Sequence, residues 1–83
     1  MTDQKVIFIT GGGNGLGLAT TKHMLSLGHT VIVADISLQN VEKHPNLMIS
    51  QTDVTSESAV KDAMSQAVHR FGRIDVAIPC AGI

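Results

Sequence analysis

The sequence predicts an α/β fold: a partial parallel sheet of about four strands in the order 3-2-1-4, carrying three helices. Three observations support this. Apolar, β-branched runs without polar alternation recur along the chain, as they do in strands buried on both faces. Segments with helical spacing lie between them, giving the order β-α-β-α-β-α-β. Parallel strands joined in this way use right-handed crossovers, which put the first two helices on one face and the third on the other.

"KVIFIT" (5–10) is the first strand. "LGLATTKHMLSLG" (16–28) reads as a helix, with Leu16, Thr20, Met24 and Leu27 at helical spacing and Gly28 as a stop. "TVIVAD" (30–35) is a second buried strand. The loop-like "SLQNVEKHPN" (37–46) leaves room for only a short helix before a third strand, "NLMISQT" (46–52). "TSESAVKDAMSQAVHRFG" (55–72) opens on two possible caps, Thr55 and Ser56. Its stripe is Val60, Met64, Ala67, Val68 and Phe71, and Gly72 ends it. "IDVAIPC" (74–80) is the fourth strand and falls at an edge.

"ITGGGNGLG" (9–17) places five glycines in nine positions directly after the first strand. Asn14-Gly15 suits a hairpin, but the helical spacing that follows does not suit a second strand. A flexible linker fails because apolar structure begins on both sides. A strand–glycine loop–helix unit remains, in which the N–H groups at Leu16–Leu18 form an anion site. Leu18 and Ala19 stand where a γ-phosphate loop needs Lys and Ser/Thr. Leu16 occupies the third glycine position of the common G-x-G-x-x-G fingerprint. The pattern present, Thr10-Gly11-x-x-x-Gly15-x-Gly17, can still supply a tight turn and a close approach to a pyrophosphate. Asp35 ends the second strand twenty residues after Gly15. A carboxylate there accepts hydrogen bonds from an adenosine ribose, although a turn acid closing the strand would look the same.

Together with Asp53-Val54 and "FGRIDVAIPCAGI" (71–83), these residues resemble the start of a short-chain dehydrogenase/reductase along the whole chain. The resemblance implies a partial Rossmann NAD-binding domain over 1–83, truncated before the catalytic region. It implies that Gly11, Asn14, Gly15, Leu16 and Gly17 wrap the pyrophosphate and that Asp35 binds the adenosine ribose. It also implies that Asp53 and Val54 contact adenine, and that Ala81 and Gly82 lie beside the cofactor ribose. Without it, Asp53 reads as a turn residue beside a helix cap. Pro79 and Cys80 replace the two asparagines of the family's Asn-Asn-Ala-Gly. The family's acid/base chemistry uses a Tyr and Lys four residues apart plus a Ser, all downstream of this motif, and this chain contains no Tyr. No catalytic residue is therefore expected within it. The expected role is the dinucleotide-binding segment of an NAD-dependent alcohol/ketone oxidoreductase, inactive alone. The alternatives are a free-standing nucleotide-binding or regulatory module, or a fragment without function.

Composition narrows the partners. The chain has 83 residues, 43% hydrophobic and 16% charged, as a small globular unit does. A net charge of −1, two Phe and no Trp or Tyr give no footprint for nucleic acid or an anionic membrane. "MTDQK" followed by a short apolar run is neither a signal peptide nor a transmembrane span, and the single Cys80 suits a reducing compartment, so a cytoplasmic location is expected. His23, His29, His44 and His69 are scattered, so no metal site is expected. Cys80 reads as a small buried hydrophobe rather than a nucleophile. Asp35 with no Lys or Arg between 23 and 42 favours NAD over NADP. The edge strand at 74–80, together with an incompletely covered second face of the first strand, predicts a marginal monomer that self-associates. Pro79 blunts only the far end of that edge.

Overall fold

The apolar runs at 5–10 and 30–35 become the centre of a four-stranded parallel sheet of order β3-β2-β1-β4. The computed structural model describes residues 3–80, so Ala81 and Gly82 lie outside the described residues. β1 (Val6–Thr10) pairs with β2 (Thr30–Asp35) from Val6–Thr30 to Thr10–Ala34. β3 (Leu47–Gln51) joins β2 with Asp35 opposite Gln51. β4 (Val76–Pro79) joins β1 with Thr10 opposite Pro79. Phe8, Ile9 and Val31–Ala34 are buried on alternating faces, which is why these runs carry no polar alternation. The parallel register brings the ends of β1 and β2 together, so the residues after Thr10 meet those after Ala34.

Among the described residues two helices form rather than three. α1 (Gly15–Ser26) and the segment 36–46 cover one face, and α2 (Glu57–Phe71) covers the other. The short helix expected before β3 is absent. Leu38 and Val41 have helical spacing, but they insert side by side into the α1-side core as plugs of an irregular crossover. A single turn, Val41 N–H to Leu38 C=O, is all that forms before Pro45. One turn does not offset the cost of nucleating a helix.

The faces of both helices also differ from the expected stripes. α1 buries Gly17 and Thr21, with Met24 and Leu25 against the core, while Leu16 and Leu27 are exposed. The Thr21 hydroxyl lies 2.9 Å from the Gly17 carbonyl and 3.2 Å from the Gly12 carbonyl, sharing one proton between them. Small residues set this face because α1 sits close to the glycine loop. α2 buries Ala63 and Ala67, and Val68 is 44% exposed instead of facing the sheet. Ser56 caps α2 by accepting from the Ala59 N–H at 3.3 Å, and Gly72 (φ 84) ends it.

The uncovered apolar surface falls on β4, not on β1. Val6, Ile7, Phe8 and Ile9 are all buried, whereas Val76 is 40% exposed. α2 leaves an open groove of about 240 Å³ against β4, walled by Phe8, Val60, Met64, Ala77 and Ile78.

At the opposite end of the sheet from the glycine loop, Asp75 joins β4 to β1. Its Oδ2 accepts from the Val6 N–H at 2.8 Å and from Arg73 Nε at 2.8 Å, and Arg73 Nη2 donates to the Gln4 carbonyl at 3.1 Å. The Arg73 guanidinium, then the Val6 amide, hold the Asp75 carboxyl below its ordinary value of 3.8. In acid the unfolded chain therefore binds this proton first. The stabilisation is complete above 3.8 and is lost as the pH falls through the lower folded value. Asp75→Asn is expected to flatten the acid limb of a urea-denaturation series. Parallel wild-type and variant profiles through that range would exclude the role.

Candidate functional site

The loop between β1 and α1 is shaped by backbone approaches that leave no room for side chains. A Cβ at Gly17 would run into the Gly11 carbonyl oxygen, with Gly12 Cα at 3.1 Å, so α1 could not start this close to β1. A Cβ at Gly13 would run into the Ser37 carbonyl oxygen, with Asp35 Oδ2 at 3.0 Å. The glycines therefore seat the loop against both the helix and the end of β2. Gly11 N–H donates to the Ala34 carbonyl at 2.8 Å, completing that contact.

Asp35 bridges the two segments. Its Oδ2 accepts from the Gly13 N–H at 3.0 Å and its Oδ1 from the Ser37 N–H at 3.1 Å. Each oxygen keeps lone-pair capacity for a further donor. Asn14 lies beside it at the N-cap of α1, with its Nδ2 donating to Ser37 Oγ at 3.3 Å and its Oδ1 accepting from Asn40 Nδ2 at 3.0 Å. Its side chain makes no capping bond. Among the described residues nothing accepts from the N–H groups of Gly15, Leu16 or Gly17, and no acidic residue lies in the first turn.

These elements surround a cleft of about 470 Å³ lined by Gly11, Asn14, Gly15, Leu16, Gly17, Asp35, Ile36, Ser37, Val54 and Cys80. Its electrostatics are polarised. One end holds the open amides and positive pole of α1, worth about half an elementary charge. The other holds Asp35, the one charged residue among the lining. An anionic group fits the first end and neutral hydroxyl donors fit the second. A Cβ at Gly15 would meet nothing within 4 Å, so the loop is open at this point.

A family profile described as short chain dehydrogenase matches residues 5–83. The chain belongs to the short-chain dehydrogenase/reductase family. It is 41% identical over 83 residues to the 3-hydroxyacyl-CoA dehydrogenase type-2 of Rattus norvegicus, with 94% of this chain and 32% of that protein aligned. The ipsdienol dehydrogenase of Ips pini is 39% identical over 79 residues, covering 94% and 31%. The chain thus spans about a third of the length of the curated relatives it matches. Among solved structures, a Leptospira borgpetersenii short chain dehydrogenase with bound NAD+ superposes with a TM-score of 0.84 at 28% identity, covering 96% of this chain and 32% of that one. An ElxO variant with NADPH bound gives the same TM-score and identity, covering 96% and 36%. Members of this family bind either dinucleotide, and this chain corresponds to the nucleotide-binding part of the fold.

Seven residues singled out in the sequence meet in the cleft: Gly11, Asn14, Gly15, Leu16, Gly17, Asp35 and Val54. Asp53 is not among the lining. Its Oδ1 accepts from the Thr55 hydroxyl at 2.6 Å and the Thr55 N–H at 3.0 Å, and these two bonds, the hydroxyl first, lower its pKa. It makes the turn that leads into α2. Ile36, Ser37 and Cys80 line the cleft without having been singled out as ligands. Ser37 was legible as the second residue after an Asp that makes a local turn. Ile36 is 65% exposed beside Asp35, and an exposed apolar residue directly after the strand's acid was the available signal. Cys80 packs on the α1-side core and also reaches the cleft. Among the described residues, no three His, Cys, Asp or Glu side chains gather as metal ligands, and no helix is long and apolar enough to cross a membrane.

Proposed function

We propose that this chain is the NAD-holding part of an oxidoreductase acting on an alcohol/ketone pair. The observation that carries the reading is the convergence of open α1 amides, a glycine cradle and a single carboxylate on one cleft. The N–H groups of Gly15, Leu16 and Gly17 receive the pyrophosphate, aided by the helix pole. Asp35 accepts from the adenosine ribose hydroxyls while retaining Gly13 and Ser37. Val54 and Ile36 offer apolar surface for adenine, and Asp53 supports Val54 through its turn with Thr55. When bound, the nicotinamide supplies hydride transfer. Substrate binding and the acid/base Tyr, Lys and Ser belong to the part of the family fold that this chain does not span.

Calorimetry of the purified chain with NAD tests the reading. NAD is expected to bind, and to slow alkylation of Cys80, the only thiol, because that side chain lines the same cleft. Absence of both heat and protection would overturn it.

The edge of β4 suits a second copy of this chain. Val76 and Ala77 are exposed, and the free edge is blunted only at Pro79. Sedimentation of the chain is expected to show mass rising with concentration, and Ala77→Lys to reduce it by charging the strand centre. A constant monomer mass would exclude the association.

A further inference from the structure

α1 and α2 begin alike and are finished differently. Both N-cap residues are extended, Asn14 at φ −148, ψ 158 and Ser56 at φ −98, ψ 113. Ser56 caps its helix through the Ala59 N–H. Asn14, an equally favoured N-cap type, does not cap α1. Both ends of its amide are held elsewhere: Oδ1 accepts from Asn40 Nδ2 at 3.0 Å, and Nδ2 donates to Ser37 Oγ at 3.3 Å. Both partners stand in the helix-free crossover after β2, which Leu38 and Val41 anchor in the core between them. An unrestrained Asn14 Oδ1 would be the acceptor for the Gly17 or Leu16 N–H, the same donors assigned above to the pyrophosphate.

We propose that Asn40, with Ser37, is a latch that holds the Asn14 side chain off the N-terminus of α1, keeping the Leu16 and Gly17 amides open for the cofactor. Asn40 is a positioning residue that lies outside the cleft lining. The inference rests on the dinucleotide reading for its purpose, but not for its geometry. Releasing the latch lets Asn14 cap α1, and a bound anion must then displace that cap.

The test is Asn40→Ala in the full chain, with two readouts. Without ligand, hydrogen exchange at the Gly17 and Leu16 amides is expected to slow by about fivefold, the scale of one N-cap bond. Affinity for NAD is expected to fall by a similar factor of about five. In an Asn14→Ala background, which has no side chain to swing back, Asn40→Ala is expected to produce no further change in either readout. Unchanged amide exchange in Asn40→Ala would overturn the latch. So would a loss of affinity that persists at full size in the Asn14→Ala background, since Asn40 would then act by another route. If the wild-type chain fails to bind NAD, the dinucleotide reading falls and amide exchange alone decides the latch.

Discussion

Gly17→Val is expected to abolish dinucleotide binding and to remove most of the chain's stability. The added Cβ meets the Gly11 carbonyl oxygen and Gly12 Cα, both backbone atoms with no rotamer to change. Relief requires α1 to lift away from the end of β1, and Thr21 cannot then keep its hydroxyl on the Gly12 carbonyl. Overpacking of a tight site costs about 3 kcal/mol, with a further ~1 kcal/mol for each internal hydrogen bond lost. That is most of what a small domain has to lose. Gly15→Ala is the contrast, because its Cβ points into open space and only the backbone at φ 52 resists, at about 1 kcal/mol. Thermal melts of the two variants should therefore separate clearly. Equal melting temperatures would show that the loop is soft and that glycine at 17 is not sterically required.

The same close packing explains what the sequence showed and what it hid. β1 and β2 were legible because strands buried on both faces are apolar at every position, and the β-α-β order with right-handed crossovers then leaves few topologies. The glycine spacing and the Asp at the end of β2 point to residues that the structure brings to one cleft, since the register carries Thr10 and Asp35 to the same end of the sheet. The buried face of α1 was missed because it is built from Gly17 and Thr21, whose value lies in small size, whereas a reading weighted to large apolar residues selects Leu16 and Leu27. The short helix expected in the crossover followed from the β-α-β order and the room left between β2 and β3, not from any helical signal within the loop-like 37–46 stretch. The crossover's conformation is instead fixed by two ties from Asn14, 23 and 26 residues away in sequence, and by the local Asp35–Ser37 bond. Asp53 occupies the family position yet lies outside the lining, because its nearest donors are two residues on, in its own turn.

Asp35→Asn is expected to collapse the preference for NAD over NADP. In the wild type, a 2′-phosphate would sit against the carboxylate with no Lys or Arg between 23 and 42 to offset it. Two unit charges about 4 Å apart near a protein surface repel by about 4 kcal/mol, and solvent screening reduces this to a discrimination on the order of hundredfold. Removing the charge removes the repulsion, so NADP affinity rises. NAD affinity falls about tenfold, because a charge-assisted hydrogen bond to the ribose becomes a neutral one. The substitution also has a structural signature. Oδ1 and Oδ2 each accept a backbone N–H, from Ser37 and from Gly13, and an Asn side chain can serve only one of them. The other amide then faces an NH2 group, costing about 1–3 kcal/mol of stability if it is not reached by water. Paired titrations with NAD and NADP on wild type and variant read the first effect, and denaturant unfolding reads the second. A wild type that binds both cofactors equally would show that Asp35 serves only to join the loop to β2, and the preference for NAD would have no carrier in this cleft.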